Sequence, residues 1–67
     1  MPKKLRDLVR VLEKAGYVWE PRRGKGSHRW FVHPKPGVPP VNLPGKLGGD
    51  AKRYQEDDVR DALEAVK

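Results

Sequence analysis

The residues best able to do chemistry lie between Arg22 and Pro34. Arg22, Arg23, Lys25 and Arg29 place cations along a stretch in which Gly24 and Gly26 let the backbone bend tightly and approach another molecule closely. Such a segment suits a polyanion. His28 follows at the junction of this loop with an aromatic run, where a side chain is held yet exposed. Imidazole is the side chain whose unperturbed pKa lies nearest neutrality, which makes it a natural general acid or base. Trp30 adds a flat surface on which a splayed nucleobase can stack. The residue types alone leave a plainer reading open, in which His28 only hydrogen-bonds its own loop.

RNA carries its own nucleophile, the 2′-hydroxyl. A protein that cleaves it needs a group to move one proton and cations to stabilise the charge developing on phosphorus. In this chain His28 would move the proton. Lys25 and Arg29, with Arg22 and Arg23, would hold the phosphate, and Ser27 or its backbone N–H would donate a hydrogen bond. His33 precedes Pro34 and alternates to the other strand face from His28, so it reads as a structural residue.

Composition narrows the classes. At 67 residues the chain is one domain, covering 1–67, near the lower size limit for a self-sufficient core. It has no cysteine and two histidines, so neither a disulfide framework nor a convincing metal site is expected, and no cofactor is implied. The net charge of +6 is uneven: residues 1–35 hold ten Lys/Arg against three acids, and residues 36–67 five against six. A localised basic face is the electrostatic footprint of nucleic-acid binding. No apolar run is long enough for a membrane span and no leader pattern opens the chain, so a cytoplasmic protein is expected. The core must draw on a few aliphatics plus Tyr17, Trp19, Trp30, Phe31 and Tyr54.

Leu5, Leu8, Val9, Leu12 and Ala15 recur at helical spacing and predict a helix over residues 3–15, stopped by Gly16. Residues 17–20 read as a strand loosening at Pro21, residues 28–33 as its hairpin partner, and residues 41–43 as a short third strand bracketed by prolines. Residues 45–53 read as a loop. A second helix is expected from about Gln55 to Val66, with Val59, Ala62, Leu63 and Val66 as its apolar stripe and Glu56, Asp57 and Asp58 in its first turn. Strand alternation sets His28 and Trp30 on one face and Arg29 and Phe31 on the other; which face is buried stays open. The elements predict a two-layer α+β domain: two helices on one face of a small antiparallel sheet, the other face open.

Gly26-Ser27-His28, followed by Phe31 and His33-Pro34, resembles the HicA (YcfA-like) toxins, small mRNA interferases of toxin–antitoxin systems. The likeness extends to residues 5–17, to the basic run from Arg23 to His28, to residues 41–44 and to Val59-Arg60 with Leu63. It implies a double-stranded-RNA-binding-like αβββα fold with a three-stranded antiparallel sheet. It also implies metal-independent endoribonuclease activity on mRNA through His28, and a HicB-like antitoxin as partner. Two departures stand out: Asp57-Asp58 where the family often has a glycine-threonine step, and a longer Gly/Lys loop at residues 46–53. The same fold and charge would also serve a non-catalytic double-stranded-RNA-binding module, or a protein whose exposed tryptophans dock another protein.

Overall fold

The computed structural model describes residues 3–21 and 28–67. Arg22, Arg23, Lys25 and Ser27, named above as RNA-binding candidates, lie outside the described residues. The element order is α1 (Leu5–Lys14), β1 (Val18–Glu20), β2 (Trp30–Val32), β3 (Val41–Asn42) and α2 (Arg53–Ala65). The strands form one antiparallel sheet in the order β1-β2-β3.

The α1 stripe folds as its spacing dictates, with Leu5, Leu8 and Leu12 buried. They join Tyr17, Phe31, Val41, Leu43, Ala51, Val59 and Ala62 in one cluster. Both helices therefore cover the sheet face carrying Phe31, and the α+β architecture is the expected one. The aromatic contribution is smaller than expected: among the described aromatics only Tyr17 and Phe31 are buried, while Trp19 and Tyr54 are about half exposed. The rings of Trp19 and Tyr54 lie at the margins of the layer, where aliphatics already fill the centre.

Each helix starts by a similar device. The Asp7 carboxylate accepts the Lys4 backbone N–H at 3.1 Å, and the Gln55 side-chain carbonyl accepts the Lys52 N–H at 2.9 Å. Gln55 is buried, and its amide also donates to the Pro44 carbonyl at 2.8 Å, joining the start of α2 to the exit of β3. This moves the start of α2 to Arg53, earlier than expected. Glu56 alone of the three acids then falls in the first turn, so the helix dipole does not account for Asp57 or Asp58.

The segment 45–52 is built into the fold. The Gly49 and Leu47 carbonyls accept the Leu5 and Arg6 N–H groups at 3.0 and 3.1 Å, satisfying α1 donors that no helical carbonyl can reach. Ala51 N–H donates to the Lys3 carbonyl at 2.7 Å, and Lys4 Nζ meets Asp50 Oδ1 at 2.6 Å. Gly45 sits at φ +114°, where an added Cβ would lie 2.9 Å from Leu5 Cδ1, so only glycine fits that approach.

Candidate active site on the open sheet face

Register fixes the site. Glu20 pairs with Trp30 and Trp30 with Asn42, so these three stand in one row across the sheet. Trp19, Phe31 and Val41 form the next row and point the other way, towards the helices. Phe31 is 1% exposed, which resolves the ambiguity left by alternation: Trp30 belongs to the face that the helices leave open.

His28 precedes β2, is exposed, and reaches the row through its ring: His28 Nδ1 lies 3.2 Å from Asn42 Nδ2. His28, Trp30 and Asn42 thus come together at one end of the open face. Asn42 and Glu20 were not singled out by the sequence reading. The available signal for Asn42 was its type, since asparagine is depleted in strands and stands here between two buried residues, Val41 and Leu43.

Arg29 goes elsewhere. Its backbone carbonyl accepts the Leu43 N–H at 2.8 Å, extending the β2–β3 ladder, while its guanidinium Nη1 donates to the Gly45 carbonyl. The half-buried side chain lines a small hollow with Val9, Glu13, Trp19, Phe31 and Leu47, on the helix side of the sheet. The structure does not bring it beside His28.

Beyond Trp30 and Asn42 the surface continues as a cleft towards α2, lined also by Pro39, Pro40, Tyr54 and Asp58. Aromatic rings, proline edges and one amide suit a flat, partly polar ligand such as a base. Asp58 brings a carboxylate there. Asp57 and Asp61 both lie near Arg60, at 3.5 and 3.7 Å, whereas Asp58 has no ion pair among the described residues.

His33, at the far end of β2, is locked in place. Its Nδ1 accepts the Lys35 N–H at 3.0 Å, so Nε2 carries the hydrogen and donates to the Ala15 carbonyl at 3.0 Å. The ring packs edge-on against Tyr17, with centroids 5.0 Å apart. Tyr17 in turn donates its hydroxyl to the Ala62 carbonyl at 2.9 Å, and burial pushes its phenol above the ordinary value of 10.0. Gly16, at φ +102°, lets the chain turn against this ring, since a Cβ there would come within 2.8 Å of Nε2.

Among the described residues no three His, Asp or Glu side chains group as a metal site, and no helix is long and apolar enough to cross a membrane. A family model described as the HicA toxin of bacterial toxin–antitoxin systems matches residues 5–64 of the chain. Neither the curated proteins nor the solved structures provide a match.

Proposed function

The chain belongs to the HicA toxin family of bacterial toxin–antitoxin systems, which implies an antitoxin partner, and we propose that it acts as a metal-independent endoribonuclease through His28. The observation that carries this reading is the placing of His28 on the open face beside Trp30, exposed and next to the basic segment. A phosphodiester can reach the imidazole there while the adjacent base stacks on the indole.

In this reaction the RNA 2′-oxygen forms a bond to phosphorus and the bond to the 5′-oxygen breaks. The proton leaves the 2′-hydroxyl and a proton is delivered to the departing oxygen. The products are a 2′,3′-cyclic phosphate and a 5′-hydroxyl. His28 mediates this proton traffic, a contribution of about 10²–10⁴-fold. We assign the phosphate to Arg22, Arg23 and Lys25, with Ser27 as a further donor, and the base to Trp30. Arg29, engaged with the Gly45 carbonyl, we assign to holding β2 against the 44–50 segment. In the proposed pairing, a HicB-like antitoxin silences the toxin by covering the open face, and the substrate is mRNA.

The test is incubation of purified protein with mixed-sequence RNA in excess EDTA, beside His28→Ala. Cleavage by the native protein alone, ending in cyclic phosphate, is the expected result. Equal cleavage by both proteins would overturn the role of His28. Salt-sensitive retention of RNA by both, without product, would replace catalysis by a binding module.

A further inference from the structure

Asn42 is a poor residue for its place in the fold. It occupies one of the two positions of β3, between the buried side chains of Val41 and Leu43. Its side-chain oxygen, Oδ1, is buried and has no hydrogen-bond partner. Buried polar atoms in native proteins almost always find partners, and an exception calls for an explanation. A valine or threonine would suit the strand better and leave no orphan. What Asn42 does have is its other end, with Nδ2 3.2 Å from His28 Nδ1.

We propose that Asn42 is the positioning residue of this site: it holds His28 by Nδ1 and turns Nε2 outward as the atom that meets RNA. The inference rests on the reading of His28 as the proton-transfer group. It adds which nitrogen works and what aims it. An imidazole on an exposed strand end otherwise rotates about two side-chain bonds, and misplacing a catalytic group by about 1 Å is enough to cost roughly 10²-fold in rate.

The amide also selects a tautomer. As it stands, Nδ2 donates, so the neutral ring keeps its lone pair on Nδ1 and carries its hydrogen on Nε2. Turning the amide over would offer Oδ1 to the ring but bury the NH₂ group without an acceptor. Orphaned buried donors are rarer than under-satisfied carbonyls, which favours the orientation present. The resting site therefore presents Nε2–H to an arriving phosphate oxygen.

The experiment compares native protein with Asn42→Leu and Asn42→Asp by long-range ¹H–¹⁵N NMR of the His28 ring, together with single-turnover cleavage and thermal melts. In native protein the neutral His28 ring is expected as the Nε2–H tautomer. Asn42→Leu removes the partner, so both tautomers should appear, and the cleavage step should slow by roughly 10- to 100-fold with little change in RNA affinity. Its melting temperature should hold or rise, because the orphaned oxygen is gone. Asn42→Asp offers only acceptors and should move the neutral ring to the Nδ1–H tautomer. Identical His28 signals in all three proteins would overturn the proposal, as would a Leu variant that melts lower and cleaves normally. Because the NMR readout needs no cleavage, it tests Asn42 even if the His28→Ala comparison defeats the ribonuclease reading.

Discussion

The two histidines stand at opposite ends of β2 and live in opposite circumstances. His33 has both ring nitrogens engaged with backbone groups, an aromatic neighbour at 5.0 Å and a glycine turned against it. His28 is exposed, and its one hydrogen bond on the page is to a side chain, Asn42. The first arrangement uses an imidazole as a rigid connector between α1, the end of β2 and Tyr17. The second leaves one nitrogen facing solvent at the open face. A histidine with both nitrogens bonded inside the protein has nothing left for a substrate. The difference teaches that the bonding of each ring, rather than the presence of the residue, separates framework from chemistry.

The sharpest way to break this contrast is to delete each ring in turn. His28→Ala should lower RNA cleavage by about 10²–10⁴-fold while the melting temperature stays nearly constant, as expected for an exposed side chain. Cleavage rate and thermal melting of the same preparation check both halves. His33→Ala should act in the opposite sense. It removes two hydrogen bonds and an aromatic contact and leaves the Ala15 carbonyl to find another partner. A loss of about 2–3 kcal/mol is expected, or roughly 10–20 °C in Tm for a domain this small. Below the melting transition its cleavage rate should remain close to native. A stable, inactive His33→Ala would mean that the far end of the strand also takes part in the chemistry.

Tyr17 sharpens the framework side through pH. Its folded pKa is raised above the unfolded value by burial. The stability linked to the neutral phenol is therefore complete below the unfolded value of 10.0 and is lost as pH rises through the higher folded value. Denaturant titrations at stepwise alkaline pH should show this loss. Tyr17→Phe should remove the component due to Tyr17 and cost about 1–2 kcal/mol at neutral pH, through the lost bond to the Ala62 carbonyl. An unchanged alkaline slope in that variant would move the effect to another group.

The framework was the legible part of the sequence because it rests on periodicity. Leu5, Leu8 and Leu12 announce α1 by spacing alone, and alternation across β2 separates Trp30 from Phe31 even before burial chooses between them. Where the sequence reading slipped, long-range hydrogen bonds decide. The start of α2 depends on the Gln55 side chain reaching back to Lys52 and across to Pro44, which no local pattern encodes. The 45–52 segment looks like a loose glycine-lysine loop, yet its carbonyls cap α1, a partner more than forty residues away. Arg29 reads as one more phosphate contact until the Gly45 carbonyl is seen to claim it. At the candidate site, His28 and Trp30 were visible as residue types, whereas Asn42 became meaningful only when register set it opposite Trp30.

The smallest expected effect concerns the acidic border of the open face. Asp58 lines the same cleft as Trp30 and Asn42, lies beyond the first turn of α2 and has no ion pair among the described residues. If RNA lies across Trp30, the phosphates pass within reach of an unneutralised carboxylate. At physiological salt the Debye length is about 8 Å, so the repulsion is felt only at close range. Asp58→Asn keeps the shape and removes the charge, and it should tighten RNA binding by a modest factor, about two- to fivefold. The gain should shrink as salt rises, which fluorescence anisotropy at two ionic strengths would show. Weaker binding in the Asn variant would carry the opposite lesson. The carboxylate would then be accepting hydrogen bonds from a base stacked on Trp30, and the border of the site would be a place where sequence is read.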